Sequence, residues 1–218
     1  MSSSWDERAD AYRESHGHRE GRDLDLLVAA CGACAGLSVL DVATGGGHVA
    51  RRLRERGADV VTVDASPGMK PDIVARAEEL PFADRSFDLV VTRIAAHHFS
   101  DVRAAVAEMA RVTRDLVLIE DTLYLSEAVE EAERLRDATH VRNYGEGEWR
   151  EFAEAAGLDV EAVDYVEKEH GFAEWLGRTA CEGAVADRVR ELLADRTLAG
   201  GEAWSDVKLL LKAKKRAA

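Results

Sequence analysis

Residues 37–66, LSVLDVATGGGHVARRLRERGADVVTVDAS, constrain the fold more than any other stretch of the 218-residue chain. An apolar run of Leu37, Val39, Leu40 and Val42 carries Asp41 near its end and leads into Gly45-Gly46-Gly47. A helical pattern follows from Val49 to Arg56, and a second apolar run, Val60 to Val63, closes on Asp64. Strand, glycine turn, helix, strand, acid is the order of a nucleotide-binding βαβ unit. The glycines let the backbone pass close to a ligand because no Cβ intervenes. Asp64, at the tip of the second strand, can accept two hydrogen bonds from a ribose diol.

The remaining pattern extends this unit in both directions. Residues 5–15 place Trp5, Ala9 and Tyr12 at roughly helical spacing, and residues 20–31 read as a helix with Leu24, Leu27, Val28 and Cys31 on one face. Pro67-Gly68 and Pro71 interrupt the chain after the second strand, and a short strand is expected at 72–75. Ser86–Thr92 reads as a buried strand. Asp101 is a good N-cap for a helix to Arg111 that turns Val102, Ala105, Val106 and Met109 inward. Leu116–Ile119 is another buried strand. Residues 126–140 and 146–156 then read as two amphipathic helices with no strand between them. Val160–Val166 alternates as a half-exposed strand does, a helix is expected at 181–194, and Trp204–Leu211 is the last strand. Alternation of strands and helices implies a parallel sheet with helices on both faces. The less apolar late pair of strands predicts an antiparallel edge.

Composition narrows the function classes. Lys+Arg number 29 and Asp+Glu 42, a net charge of −13. A surface that negative repels nucleic acid and anionic membrane, and neither is expected as a partner. The same acidity fits life at high salt. The basic run Lys212–Arg216 reads as a solvated tail. Cys31, Cys34 and Cys181 do not make a disulfide framework, and Cys31-Gly-Ala-Cys34 lacks the second pair of a zinc site, so packing thiols are expected. His16, His18 and His170 do not combine into metal spacing, and no metal is expected. The charged N-terminus has no apolar core of a signal peptide, and no window approaches 18 apolar residues, so a cytoplasmic protein is expected.

The glycine turn departs from a dinucleotide fingerprint. Asp41 precedes the glycines, and no G-x-x-G spacing continues into the helix. A pyrophosphate at that turn would be repelled, whereas a ligand with an amino group would be attracted by about 4 kcal/mol at ~4 Å and an effective dielectric near 20. Val39-Leu-Asp41-Val-Ala-Thr-Gly45-Gly-Gly47-His48 resembles motif I of the class I S-adenosylmethionine (SAM) methyltransferases, and Val60–Met69 resembles their second motif. Ala77–Phe82, Ser86–Val90 and Ala95–Phe99 are similar to the type 11 group, which includes ubiquinone and menaquinone biosynthesis enzymes.

The resemblance covers most of residues 5–121 and implies a single Rossmann-like, doubly wound α/β domain over 1–218. Its sheet would be mostly parallel and seven-stranded with an antiparallel last strand. Its N-terminal helices (1–35) and a helical cap (122–156) would cover the active site. SAM is the implied cofactor. Asp41 and the backbone of residues 43–47, with Ala43, Gly45 and Gly47, would hold its methionine part. Asp64 would take the ribose, with Ala65 and Met69 beside the adenine and Ala77 and Glu78 at its edge. Arg93, Ile94 and His97 would line the cleft near the sulfonium, and Tyr12 would close over it. His97 and His140 are the candidate catalytic histidines. His98, Arg142 and Tyr144 are the candidate substrate-binding residues for a small organic methyl acceptor.

Bland readings stand beside these. Tyr12 and His98 also suit core packing, Glu78 a solvated loop, and Thr139–Tyr144 a polar turn between helices. Two departures count against full activity. Arg76 replaces the usual acid of the group, and residues 66–72 leave no room for its usual helix. A catalytically silent SAM-binding protein is therefore an alternative, and a nicotinamide-dependent oxidoreductase a remoter one. A homodimer is compatible with the sequence, which leaves the acceptor and the transfer to O, C or N open.

Overall fold

The structure, a computed structural model, describes residues 19–217. Tyr12 and the helix expected at 5–15 lie outside the described residues. The elements run α1 (Arg22–Ala30), β1 (Ser38–Val42), α2 (His48–Arg54), β2 (Asp59–Asp64), β3 (Ile73–Val74), β4 (Phe87–Arg93), α3 (Val102–Val112) and β5 (Thr113–Thr122). They continue as α4 (Glu127–Arg136), α5 (Glu146–Ala155), β6 (Leu158–Gly171), α6 (Phe172–Gly177), α7 (Gly183–Leu192), β7 (Thr197–Leu198) and β8 (Ala203–Lys215).

The strands order as β3-β2-β1-β4-β5-β8-β6, with the two-residue β7 added onto β8. The first five are parallel, and β8 runs antiparallel between β5 and β6. The expected doubly wound sheet with an antiparallel end is therefore present, with β7 as an eighth strand too short to show in the sequence pattern.

Strand side chains alternate between two covered faces, which is why the parallel strands read as unbroken apolar runs. Leu40, Val42, Val90, Val117 and Ile119 pack with Val102, Val106 and Met109 of α3 and with Trp149 and Phe152 of α5. Val39, Leu89, Val91 and Leu118 face the other way, onto Leu24, Leu27 and Val28 of α1 and Val49 and Leu53 of α2. A third cluster joins α4, α6 and α7 around Trp175 and the fully buried Trp204.

Local chemistry sets the element ends. Asp101 caps α3 by accepting from the Ala104 amide at 3.0 Å, and Ser126 caps α4 by accepting from Val129 at 3.3 Å. The helix expected to reach residue 140 stops at Arg136. Asp137 accepts from both the amide (3.0 Å) and the hydroxyl (2.7 Å) of Thr139, a local turn that competes with helix continuation. The basic run Lys212–Lys215 is not a tail. It belongs to β8, where Leu116 pairs with Lys214 and Val117 with the buried Ala213, and the Lys215 ammonium donates to the Ala110 carbonyl. Between β2 and β3 there is a single 3-10 turn, Pro67–Met69, as the prolines predicted.

Candidate active site

The strand order reverses between β1 and β4, and ligands of such sheets bind at the carboxyl ends of the strands at this point. A cleft of about 370 Å³ opens there. Asp41, Ala43, Gly45, Asp64, Ala65, Met69, Ala77, Glu78, Arg93 and Ile94, all candidates from the sequence, line it together. Gly47 does not. It is the left-handed N-cap of α2 (φ 71°), shaping the turn rather than the wall.

Asp41 is 1 % exposed, and its Oδ2 accepts from the Thr44 hydroxyl at 2.6 Å and the Ala50 amide at 3.2 Å. Burial pushes its pKa up to about 6 in spite of those two bonds. Asp64 spans the turn, one oxygen accepting from the Gly45 amide (2.9 Å) and the other from Ser66 (2.9 Å). Its charge also helps raise Asp41. Two non-glycine residues of the cleft, Ala43 (φ 54°) and Ile94 (φ 50°), adopt left-handed backbone where their strands end. For a β-branched residue this is a strained conformation, of the kind that concentrates at ligand sites.

Arg76 and Glu78 act together. Glu78 Oε1 accepts from the Ser100 amide (2.9 Å) and hydroxyl (2.8 Å), and Arg76 bonds both Glu78 (3.2 Å) and Ser100 (2.7 Å). Burial opposes ionisation of Glu78, yet these donors and the Arg76 charge hold its pKa below the usual carboxylate value. The arginine that replaces the usual acid is thus a strut across the cleft edge. Arg93 is a strut as well. Its guanidinium is buried and bonded to Glu120 (3.0 Å) and Asp23, and burial raises Glu120 to about 7.

The histidines divide differently from expectation. The cleft is lined by His98, not His97. His97 turns behind it, where its ring Nδ1 meets Asp121 at 2.6 Å and its amide donates to the same carboxylate at 2.7 Å. Burial works against the charged ring, but the Asp121 charge and hydrogen bond outweigh it and raise the His97 pKa. His98 is pushed well below the usual histidine value, by burial and by the neighbouring His97 ring 4.1 Å away. Its Nδ1 lies 3.0 Å from the Thr139 carbonyl, which fixes the proton on that nitrogen.

The residues placed on a substrate rim in the sequence reading pack elsewhere. His140 is buried with Nε2 3.3 Å from Glu130, and it lines neither the cleft nor the cavity behind it. Tyr144 packs edge-on against Trp149 and Phe152, each 5.4 Å away. Arg142 lies over the Tyr144 ring and pairs with Glu148 at 3.0 Å. The reason is the backbone. The Val141 and Arg142 amides donate to the His97 carbonyl (2.8 and 3.2 Å), clamping this loop over the histidine turn instead of opening it to the cleft.

Behind the cleft lies a smaller cavity of about 40 Å³, sharing Ile94 and His98 with it. His97, Arg136, Lys168, His170, Arg178 and Lys208 contribute to its wall, and apart from the two histidines already noted the sequence pattern did not single these residues out for a site in the cleft region. His48, Ser66 and Phe99 of the main cleft were also missed as lining residues. His48 follows the glycine turn directly, and that position is the signal that could have found it. Cys31 and Cys34 are buried and unpaired with each other, and burial pushes the Cys31 thiol up to about 12, as packing thiols require.

The methyltransferase domain family matches residues 40–119. YcgJ of Bacillus subtilis, named an uncharacterized methyltransferase, is 33% identical over 218 residues, covering 89% of this chain and 85% of that protein. The crystal structure of YcgJ superposes with a TM-score of 0.82 at 28% identity, over 90% of this chain and 99% of the other. A demethylmenaquinone methyltransferase of Renibacterium salmoninarum is 41% identical, over 41% of this chain and 42% of its own length. With its glycine turn and paired acids meeting at the switch-point cleft, the chain belongs to the class I SAM-dependent methyltransferases of the type 11 group.

Proposed function

We propose that this protein transfers a methyl group from SAM to a small organic molecule, in the cytoplasm. The observation that carries the reading is Asp41, a buried carboxylate beneath a bare glycine turn in a 370 Å³ cleft. The residues fit the cofactor. An acid here suits an ammonium and repels a diphosphate. Asp64 braces the turn through the Gly45 and Ser66 amides and lines the cleft at the tip of β2, where a ribose diol would meet a carboxylate acceptor. When bound, the sulfonium supplies the electrophilic methyl. The chain's task is then to orient the acceptor and exclude water, and alignment alone contributes about 7–11 kcal/mol.

Proton handling falls to His98 rather than His97. Asp121 favours the charged form of the His97 ring and holds that ring away from the cleft, so His97 orients the turn rather than taking a proton from the acceptor. His98 is neutral and borders both cavities, but its basicity is depressed. That pairing suits a nucleophile that arrives already deprotonated, or one that loses its proton after transfer.

A second reading, a silent SAM binder, is favoured by the short 66–72 wall and by Arg76 tied to Glu78 and Ser100. Calorimetry with S-adenosylhomocysteine, followed by turnover of SAM on a panel of small acceptors, separates the two. Binding without turnover on any acceptor supports the silent binder, and absence of binding refutes both.

A further inference from the structure

The 40 Å³ cavity behind the cleft is walled by four basic side chains, Arg136, Lys168, Arg178 and Lys208, against two carboxylates, Glu133 and Asp206. In a chain of net charge −13 this is a local reversal of sign. The two lysines have more donors than acceptors. The buried Lys208 ammonium, with three N–H donors, bonds Thr122 (2.7 Å) and Asp206 (2.6 Å). Lys168 bonds Asp23 at 2.5 Å, its one hydrogen-bond acceptor among the described residues. Arg136 stacks on the Trp175 ring 4.3 Å away and spends its bonds on Glu133 and the Trp175 carbonyl. Buried ammonium donors without acceptors are costly, and an anionic oxygen in the cavity would satisfy them. One acceptor in the wall, Asp206 Oδ1, lacks a donor, which a hydroxyl or a water beside the anion would provide.

The cavity is small, about 40 Å³, and of the common anionic heads a two-oxygen carboxylate makes a smaller demand on it than a four-oxygen phosphate. It shares Ile94 and His98 with the cleft, so a molecule anchored in it extends toward the cofactor site. We infer that this cavity is the anchoring subsite for the methyl acceptor, and that the acceptor carries a carboxylate held by Lys168, Lys208, Arg136 and Arg178. The inference rests on the methyltransferase reading and names the substrate class for it.

The test is ligand-observed NMR titration of the full chain with acetate and with acetamide at fixed ionic strength, with and without S-adenosylhomocysteine. Acetate should bind at least about tenfold more tightly than its neutral isostere. Lys168→Gln and Arg178→Gln should each weaken acetate about tenfold, while Lys214→Gln, on the exposed face of β8, should leave it unchanged. Circular dichroism checks each variant, and if Lys168→Gln does not fold, Arg178→Gln decides. Equal binding of acetate and acetamide, or full affinity in the folded variants, overturns the inference. Displacement of acetate by a lower concentration of inorganic phosphate overturns the carboxylate assignment. If S-adenosylhomocysteine binds but acetate shows no preference, this inference alone falls. If S-adenosylhomocysteine does not bind, the functional reading falls and takes the acceptor subsite with it.

Discussion

Replacing Asp121 with asparagine probes the buried histidine pair behind the cleft. Asp121 accepts from the His97 ring (2.6 Å), the His97 amide (2.7 Å) and the Thr122 amide (2.8 Å). Asparagine keeps one acceptor oxygen and turns an NH2 group toward N–H donors on the other side, and it removes the charge facing the imidazolium. Breaking one partner of a buried, hydrogen-bonded pair costs about 3–5 kcal/mol. Because the ring can shed its proton in the variant, about 3 kcal/mol is expected, or a melting point lower by roughly 6–12 °C for a chain this size. The pH dependence has a definite sign. His97 is raised above 6.5, so its share of the stability is fully present below 6.5 and is lost as pH rises through its folded value. Asp121 is lowered beneath 3.8, so its share is present above 3.8 and is lost as pH falls through its folded value. Glu133 and Lys208 also act on the ring, in opposite directions. The gap between wild type and Asp121→Asn should therefore be widest between pH 4 and 6.5 and narrow above it. Thermal melts across pH 4–9, with nitrogen NMR of the His97 ring, measure both. A gap that stays flat to pH 9, or a wild-type ring that is neutral at pH 6.5, would refute the pairing.

Other outcomes follow from single contacts. Ala43→Gly should stabilise the fold by up to about 1 kcal/mol, because glycine adopts its φ of 54° without a Cβ penalty; a lower melting point would contradict the strain assigned there. Asp64→Ala should loosen the glycine turn by releasing Gly45 and Ser66, with faster amide exchange at those two positions; unchanged exchange would show that the carboxylate does not brace the turn. Cys31 should resist thiol reagents in the native state up to pH 9 and react only on unfolding, whereas rapid native labelling would show it is not buried as described.

Much of the cleft was legible because its residues lie close together in sequence. Asp41, Gly45 and Asp64 fall within one βαβ unit whose apolar runs mark the strands and whose acids mark their tips. The cavity behind it was not legible. Lys168 and Lys208 sit on strands whose polar residues read as a solvated face, and only the antiparallel register, with Val166 opposite Lys208 and Lys168 opposite Asp206, brings them together. Arg136 ends α4 and Arg178 directly follows α6, and both reach the cavity through tertiary packing alone. The same limit explains the loop at His140 and Tyr144. Its polar composition suits a pocket rim, and its hydrogen bonds to the His97 carbonyl, invisible in the sequence, turn it into packing.

The most direct measurement is S-adenosylhomocysteine calorimetry on wild type and Asp41→Asn, with the melting point of each taken at pH 8. Burial raises Asp41 from 3.8 to about 6, so the ionised group destabilises the empty protein by roughly 3 kcal/mol above that pH. The asparagine variant should melt higher at pH 8 and bind S-adenosylhomocysteine at least about 30-fold more weakly, since a charge-assisted contact worth about 2–3 kcal/mol is gone. Undiminished affinity in a folded Asp41→Asn protein would contradict the role given to this carboxylate.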